Sequence, residues 1–247
     1  MTKLFTFIFF TLFFCLKITY GQNVKSDSVL HSSLAEHNTI EYFNKAIGTQ
    51  SRLSNGQSYN SYRTNIDGSA YFPEDKLLRK GMVVYDGYRF ENVPLLYDIY
   101  KDLLVTTTAD GFLQLSLVSE RVKEFTISGH KHIYINTGSD STSIPFKSGF
   151  LEQVYQGKTE VLVKRSTSLQ QASGTRDLRK YFLLRTQYFF KKDNIYYKIT
   201  SESAFLKLYN ERKVELKKLL RSNSIRFKKD QISALKLLAE HIDNTSN

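Results

Sequence analysis

The sequence predicts an α+β fold: an antiparallel β-meander of about nine or ten strands between an amino-terminal helix and a carboxy-terminal helical hairpin. Three observations carry that prediction. Residues 82–135 are a succession of short β-branched and aromatic segments separated by tight-turn signals, Asp86-Gly87 and Asp110-Gly111 the clearest of them. Residues 201–242 switch to apolar positions three and four apart, the helical period. A hydrophobic content of 41% and an aromatic content of 14% over 247 residues can build a core, which excludes a disordered tail, and a single cysteine excludes a disulfide-stapled miniprotein.

In chain order, Lys3 precedes an apolar run over 4–14, and Thr19 and Gly21 stand at minus three and minus one of a cut before Gln22. This is the layout of a secretory signal over 1–21, and the run is shorter than the roughly 20 apolar residues that cross a bilayer. Phe14 is the wrong neighbour for acylation of Cys15, and cleavage leaves a mature chain with no cysteine. No later stretch approaches a membrane span. Residues 22–80 read as a helix followed by an irregular segment. The helix covers 28–47, with Leu30, Leu34, Ile40, Phe43 and Ile47 as its apolar positions and Gly48 as its stop. The irregular part is rich in Ser, Asn, Gly and Tyr and holds one short strand at 70–72.

Residues 81–200 form the meander, with strands expected at 82–85, 88–90, 95–99, 103–107, 112–117, 122–127, 132–135, 150–155, 159–164, 181–184, 188–190 and 195–199. A sheet of that size must curl or fold over to bury one face. Residues 201–247 form the hairpin. Ser201 caps a helix with Phe205, Leu208, Tyr209, Leu216, Leu219 and Leu220 on one face, and Asp230 caps a second with Ile232, Leu235, Leu238, Ala239 and Ile242. Residues 22–247 are expected to be one globular unit.

The net charge of +11 is unevenly spread. Residues 22–175 hold 16 Lys and Arg against 16 Asp and Glu, whereas residues 176–247 hold 17 against 8. Lys213, Lys217, Lys218 and Arg221 cluster in the first carboxy-terminal helix, and Arg226, Lys228 and Lys229 crowd the connector after it. Such a field suits an anionic partner; it is also what a solvated helix face looks like when its last-turn cations complement the macrodipole. Nucleic acid is set aside because the chain reads as exported and carries no nucleic-acid-binding motif.

Other chemistry finds weaker support. His130 and His132 share one face of a strand, but no third ligand joins them in sequence, and no metal or cofactor is expected. Gly-x-Ser-x-Gly and phosphate-cradling glycine loops are absent, and Asp86, Asp98 and Asp102 are carboxylates of the meander, Asp86 with a sufficient task in its turn. The 16 Tyr and 18 Phe fall mostly at strand positions, where packing explains them, although Tyr also serves sugar-binding platforms.

The run over 81–102, with Tyr85-Asp86-Gly87 and Val93-Pro94-Leu95-Leu96-Tyr97-Asp98-Ile99 as its most specific pieces, resembles a family of uncharacterised exported proteins of Bacteroidota, as do residues 51–56, 118–125 and 216–229. The resemblance covers most of the chain after residue 21. It implies a Gram-negative exported protein cleaved before a Gln, as here, and lends no activity, cofactor or catalytic residue. His130 matches a family position and His132 does not.

The expectation is therefore a protein of the periplasm, the outer membrane surface or the extracellular space: a non-enzymatic binding or structural component of the cell envelope. Its contact surface would be Lys213, Lys217, Lys218, Arg221, Arg226, Lys228 and Lys229. The partner would be a lipid headgroup, an acidic polysaccharide or an envelope protein. Two alternatives stay open: glycan or small-molecule binding on the sheet face, and an envelope hydrolase with a dispersed site.

Overall fold

The structure, a computed structural model, describes residues 38, 39, 42, 52–62, 66–73, 76–138, 144–173 and 178–245. The chain divides into two compact units, Met1–Phe43 and Asn44–Asn247. In the first, Asn38, Thr39 and Tyr42 are helical; the secretory signal and the rest of the predicted amino-terminal helix lie outside the described residues.

The second unit is mostly antiparallel sheet. Twelve strands occur among the described residues: β1 (Gln57–Ser58), β2 (Tyr71–Phe72), β3 (Arg79–Tyr85), β4 (Tyr88–Asp98), β5 (Leu103–Thr107), β6 (Gln114–Ser116), β7 (Val122–Ile127), β8 (His130–Ile135), β9 (Gly149–Gln156), β10 (Glu160–Ser173), β11 (Leu178–Lys192) and β12 (Ile195–Ile199). β3 is the hinge of the order: β4, β5, β6 and β1 follow on one side of it, β7 to β12 in succession on the other, and β2 pairs with the end of β4. All of these pairings are antiparallel.

The count of twelve corrects the expected nine or ten, because β1 and β2 add two short strands ahead of the ten that run from β3 to β12. The expected strands 88–90 and 95–99 are one, since β4 absorbs Asn92 at φ 55° where its register with β3 shifts, and Pro94 stays in register opposite Lys80. The polar residues 165–173 continue β10 rather than forming a loop. Their partners in β11 run in unbroken register from Glu160↔Lys191 to Ser173↔Leu178, and both faces of a two-stranded arm can meet water.

β9 pairs only with β10 residues up to Val163, and β12 with β11 only from Tyr188 onward. The rest of the β10–β11 hairpin is therefore free to fold back over the sheet. The Thr167 amide donates to the Ile99 carbonyl at 3.3 Å, and the Phe182 amide to the Asp67 carbonyl at 2.8 Å. The roll closes over a core of Val83, Tyr85, Leu95, Tyr97, Phe125, Ile127 and Phe150.

Asp102 ties the roll. Its Oδ1 accepts from the Tyr97 hydroxyl at 2.6 Å, and its Oδ2 from the Lys164 ammonium at 2.5 Å and the Phe150 amide at 3.3 Å. Lys164 also donates to the Phe150 carbonyl at 2.8 Å. Burial, then the facing Asp102, pushes the Tyr97 hydroxyl well above its ordinary value, so it remains a donor. Gly149 makes room for this knot. At its φ of +145°, a Cβ would stand 2.0 Å from Asp102 Oδ2.

Beyond the sheet lie α1 (Glu202–Lys207), α2 (Lys213–Ser222) and α3 (Gln231–Thr245). Ser201 Oγ accepts from the Ala204 amide at 3.1 Å and Asp230 Oδ1 from the Ser233 amide at 3.0 Å, the two caps that the sequence indicates. The single helix expected from 201 to 220 is split. Tyr209 leaves helical geometry at φ −134°, ψ 54°, and the Lys192 ammonium takes the Leu208 carbonyl at 2.9 Å, ending α1 where it packs on the sheet. α2 and α3 form the antiparallel hairpin, with Glu215 of the first and Arg212 just before it against His241 and Thr245 of the second. Leu216, Leu220, Leu235, Leu238, Ala239 and Ile242 join Val161, Phe190 and Phe205 in its core. Asp243 fixes the end of α3 to the β9–β10 turn through the Tyr155 hydroxyl and the Thr159 amide.

Asp102→Ala should lower the unfolding free energy by about 3 kcal/mol, because it leaves a partly buried ammonium and a buried hydroxyl without their acceptor. Urea denaturation followed by tyrosine fluorescence measures the loss. A loss below roughly 1 kcal/mol, the scale of a surface ion pair, would show that the roll does not depend on this carboxylate.

Candidate functional site

The seven predicted contact residues lie together on α2 and the connector after it. Lys213, Lys217 and Arg221 follow one another at four-residue spacing on α2, away from the buried Leu216 and Leu220, with Lys218 beside them. After α2 the buried Phe227 pins the connector to the helical core, which turns Arg226 and Lys228 outward on either side of it. Six of the seven are exposed and Lys217 is half-buried. None takes part in an ion pair among the described residues.

Two nearby carboxylates are committed elsewhere. Glu215 accepts from Arg212 at 2.8 Å and from His241 at 2.5 Å, and those two bonds hold its carboxyl down to about 2. Asp230 caps α3 and is lowered by the Ser233 hydrogen bonds. Among the cations of α2 stands Val214, 82% exposed.

A second cluster lies inside the roll. Glu152 of β9 is buried, accepts from His130 Nδ1 at 2.5 Å, and is bonded to Arg165 of β10. The Arg165 guanidinium sits 4.6 Å from the Phe72 ring centroid. Burial alone would raise the Glu152 carboxyl, but Arg165 and then His130 outweigh it and hold the group below its ordinary value. His132 is buried and stacked on Phe125 at 4.7 Å, with Tyr97 and Phe72 edge-on. Burial pulls its imidazole down to about 3, so it is neutral. The histidine pair thus shares a face, as its spacing indicates, but splits into a half-exposed ring on a carboxylate and an aromatic core residue. Among the described residues no group of three His, Cys, Asp or Glu side chains is placed to hold a metal ion.

The meander carboxylates are equally engaged. Asp98 is fully buried; its Oδ2 accepts from the Tyr59 and Tyr62 hydroxyls at 2.8 and 2.7 Å, and its Oδ1 from the Tyr100 and Lys101 amides, both at 2.9 Å. Asp86 pairs with Arg121 at 2.7 Å in its positive-φ turn. These contacts fasten turns and strand ends.

One further surface was not legible from the sequence. Side chains of β7, β8, β9, β10 and the β11–β12 turn line an open groove of about 590 Å³, within the range of roughly 300–1,000 Å³ typical of small-molecule sites. No local signal marks it, because no more than a few of its residues are adjacent in sequence.

The fold and its surfaces thus define an antiparallel β-sheet protein carrying a basic helical end. No protein-family model, curated protein or solved structure matches the chain. What it binds has to be read from its own side chains.

His132 gives the fold a pH dependence of known sign. The unfolded chain binds a proton at this ring below about 6.5 and the folded chain only near 3, so its share of stability is complete above the first value and falls as pH drops toward the second. Between pH 7 and pH 5 the loss from this one group should be about 2 kcal/mol. Urea midpoints at both pH values should converge for His132→Phe relative to the unaltered protein; an unchanged difference would place the titrating group elsewhere.

Proposed function

We propose that this protein is a non-catalytic binding component of a Gram-negative cell envelope, exported by its first 21 residues and held to an anionic partner by the basic surface of α2 and the connector after it. The observation that carries this reading is the set of seven cations that make no ion pair among the described residues, beside Glu215 and Asp230, which are already bonded. Interior charges of this protein are matched, as at Asp102 and Glu152; the surplus is displayed. A surface of anionic lipid headgroups is the best-fitting partner, because Val214 projects among the lysines and offers an apolar contact at the headgroup boundary. Among the described residues no helix is long and apolar enough to cross a membrane, so the attachment would be peripheral.

Residues 22–247 should co-sediment with vesicles containing phosphatidylglycerol at low salt, release at high salt, and ignore phosphatidylcholine vesicles. Each Lys or Arg near such a surface contributes roughly 1 kcal/mol. Reversing Lys217, Lys218, Lys228 and Lys229 to Glu should therefore weaken partitioning at least about a hundredfold while leaving the urea midpoint in place, since none of the four is in an ion pair among the described residues. Binding retained by that variant would refute the assignment of the surface.

A further inference from the structure

The groove across β7–β10 lies on the sheet face opposite the rolled core. Its floor includes Ile133 and Ile135, packed on the cluster of Phe146, Leu151, Leu162 and Phe189. Tyr196 stands at one side with its ring edge-on to Phe146 at 5.2 Å and the Lys191 ammonium 5.3 Å from its centroid. Two carboxylates enter the lining and both are committed. Glu124 pairs with Lys131 at 3.1 Å. Glu160 accepts from Gln153 Nε2 at 2.5 Å and from the Tyr196 hydroxyl at 3.1 Å.

What the groove leaves open to a ligand is therefore selective. Lys123, Gln156 and Asn194 are exposed, and their side chains make no hydrogen bond to the protein among the described residues. Together with Lys191 they offer two ammonium groups and two amides, each amide both donor and acceptor, over a strip of isoleucine and tyrosine. Amides suit hydroxyl groups, which also donate and accept. The apolar strip suits the C–H face of a pyranose ring, and the ammonium groups require negative charge on the same molecule.

A phosphate alone would use the donors of the amides but leave their acceptors and the apolar strip without partners. A purely apolar ligand would leave the lysines and amides without partners. We infer that this groove binds an acidic oligosaccharide, its carboxylate or sulfate on Lys123 and Lys191, its hydroxyls on Gln156 and Asn194, and a ring face toward Ile133 and Tyr196. This goes beyond the lipid contact of the helical end and does not depend on it.

Isothermal titration of residues 22–247 with tetragalacturonate, its fully methyl-esterified form and a sulfated tetrasaccharide tests the inference. Binding of at least one acidic oligosaccharide is expected, and the ester should bind at least tenfold more weakly than tetragalacturonate if the latter is the one bound. Lys123→Ala with Lys191→Ala should weaken binding at least tenfold, and Gln156→Ala with Asn194→Gly, which tolerates the turn's φ of 63°, should weaken it while leaving thermal melting unchanged. The variant reversed at Lys217, Lys218, Lys228 and Lys229 should bind as the unaltered protein does, which separates this site from the helical surface. The inference fails if neither acidic oligosaccharide binds, if the ester binds equally, if both groove pairs leave affinity unchanged, or if only the helical variant reduces it.

Discussion

A long antiparallel sheet has to be closed on itself, and here the closure depends on one carboxylate. Asp102 sits at the turn between β4 and β5, yet its partners come from β9 and β10, 48 and 62 residues further along the chain. Hydrogen-bond order alone separates β4 from β10 by four strands. The ion pair with Lys164, backed by the Tyr97 hydroxyl and the Phe150 amide, brings those strands face to face and lets the aromatic core form between them. A lysine can serve there because its second bond, to the Phe150 carbonyl, compensates for the water that its ammonium gives up.

The same economy governs the other interior charges. Glu152 has both Arg165 and His130, and Asp98 has two tyrosine hydroxyls and two amides. Their acceptor capacity is spent on neighbouring strands and turns, which makes them fasteners of a fold with many tight connections. The cations in excess lie in the last strands as well as in the helices, with 7 Lys and Arg against 2 Asp and Glu over 176–200 and 10 against 6 over 201–247, whereas residues 22–175 balance at zero.

Local rules account for what could be read in advance. Asp86 and Gly87 adopt φ of 52° and 80°, as an Asp-Gly hairpin turn requires, and Ser201 and Asp230 cap the helices that their positions suggest. The seven cations were visible because charge and helical period are local properties. The full length of β10 was not, because Gln170 and Gln171 lie in it only by virtue of Tyr181 and Lys180 opposite them. Nor could spacing reveal Glu152 with Arg165, although a charged residue following Phe150 and Leu151 in an apolar strand is a hint that a partner must exist. The groove is the extreme case, since Lys123 and Asn194 meet only through the order in which the strands pair.

The break between α1 and α2 explains how an otherwise packed end can expose so much charge. α1 settles Phe205 and Leu206 on the sheet, and α3 buries Ala234, Leu235, Leu238, Ala239 and Ile242. α2 then needs only Leu216 and Leu220 to stay in place. With Phe227 fixing the connector, the outward face of α2 carries no structural duty, and cations there cost the fold little. A surface released in this way from packing is free to be shaped by what it contacts, and its unpaired lysines and its one projecting valine follow from that release rather than from the requirements of folding.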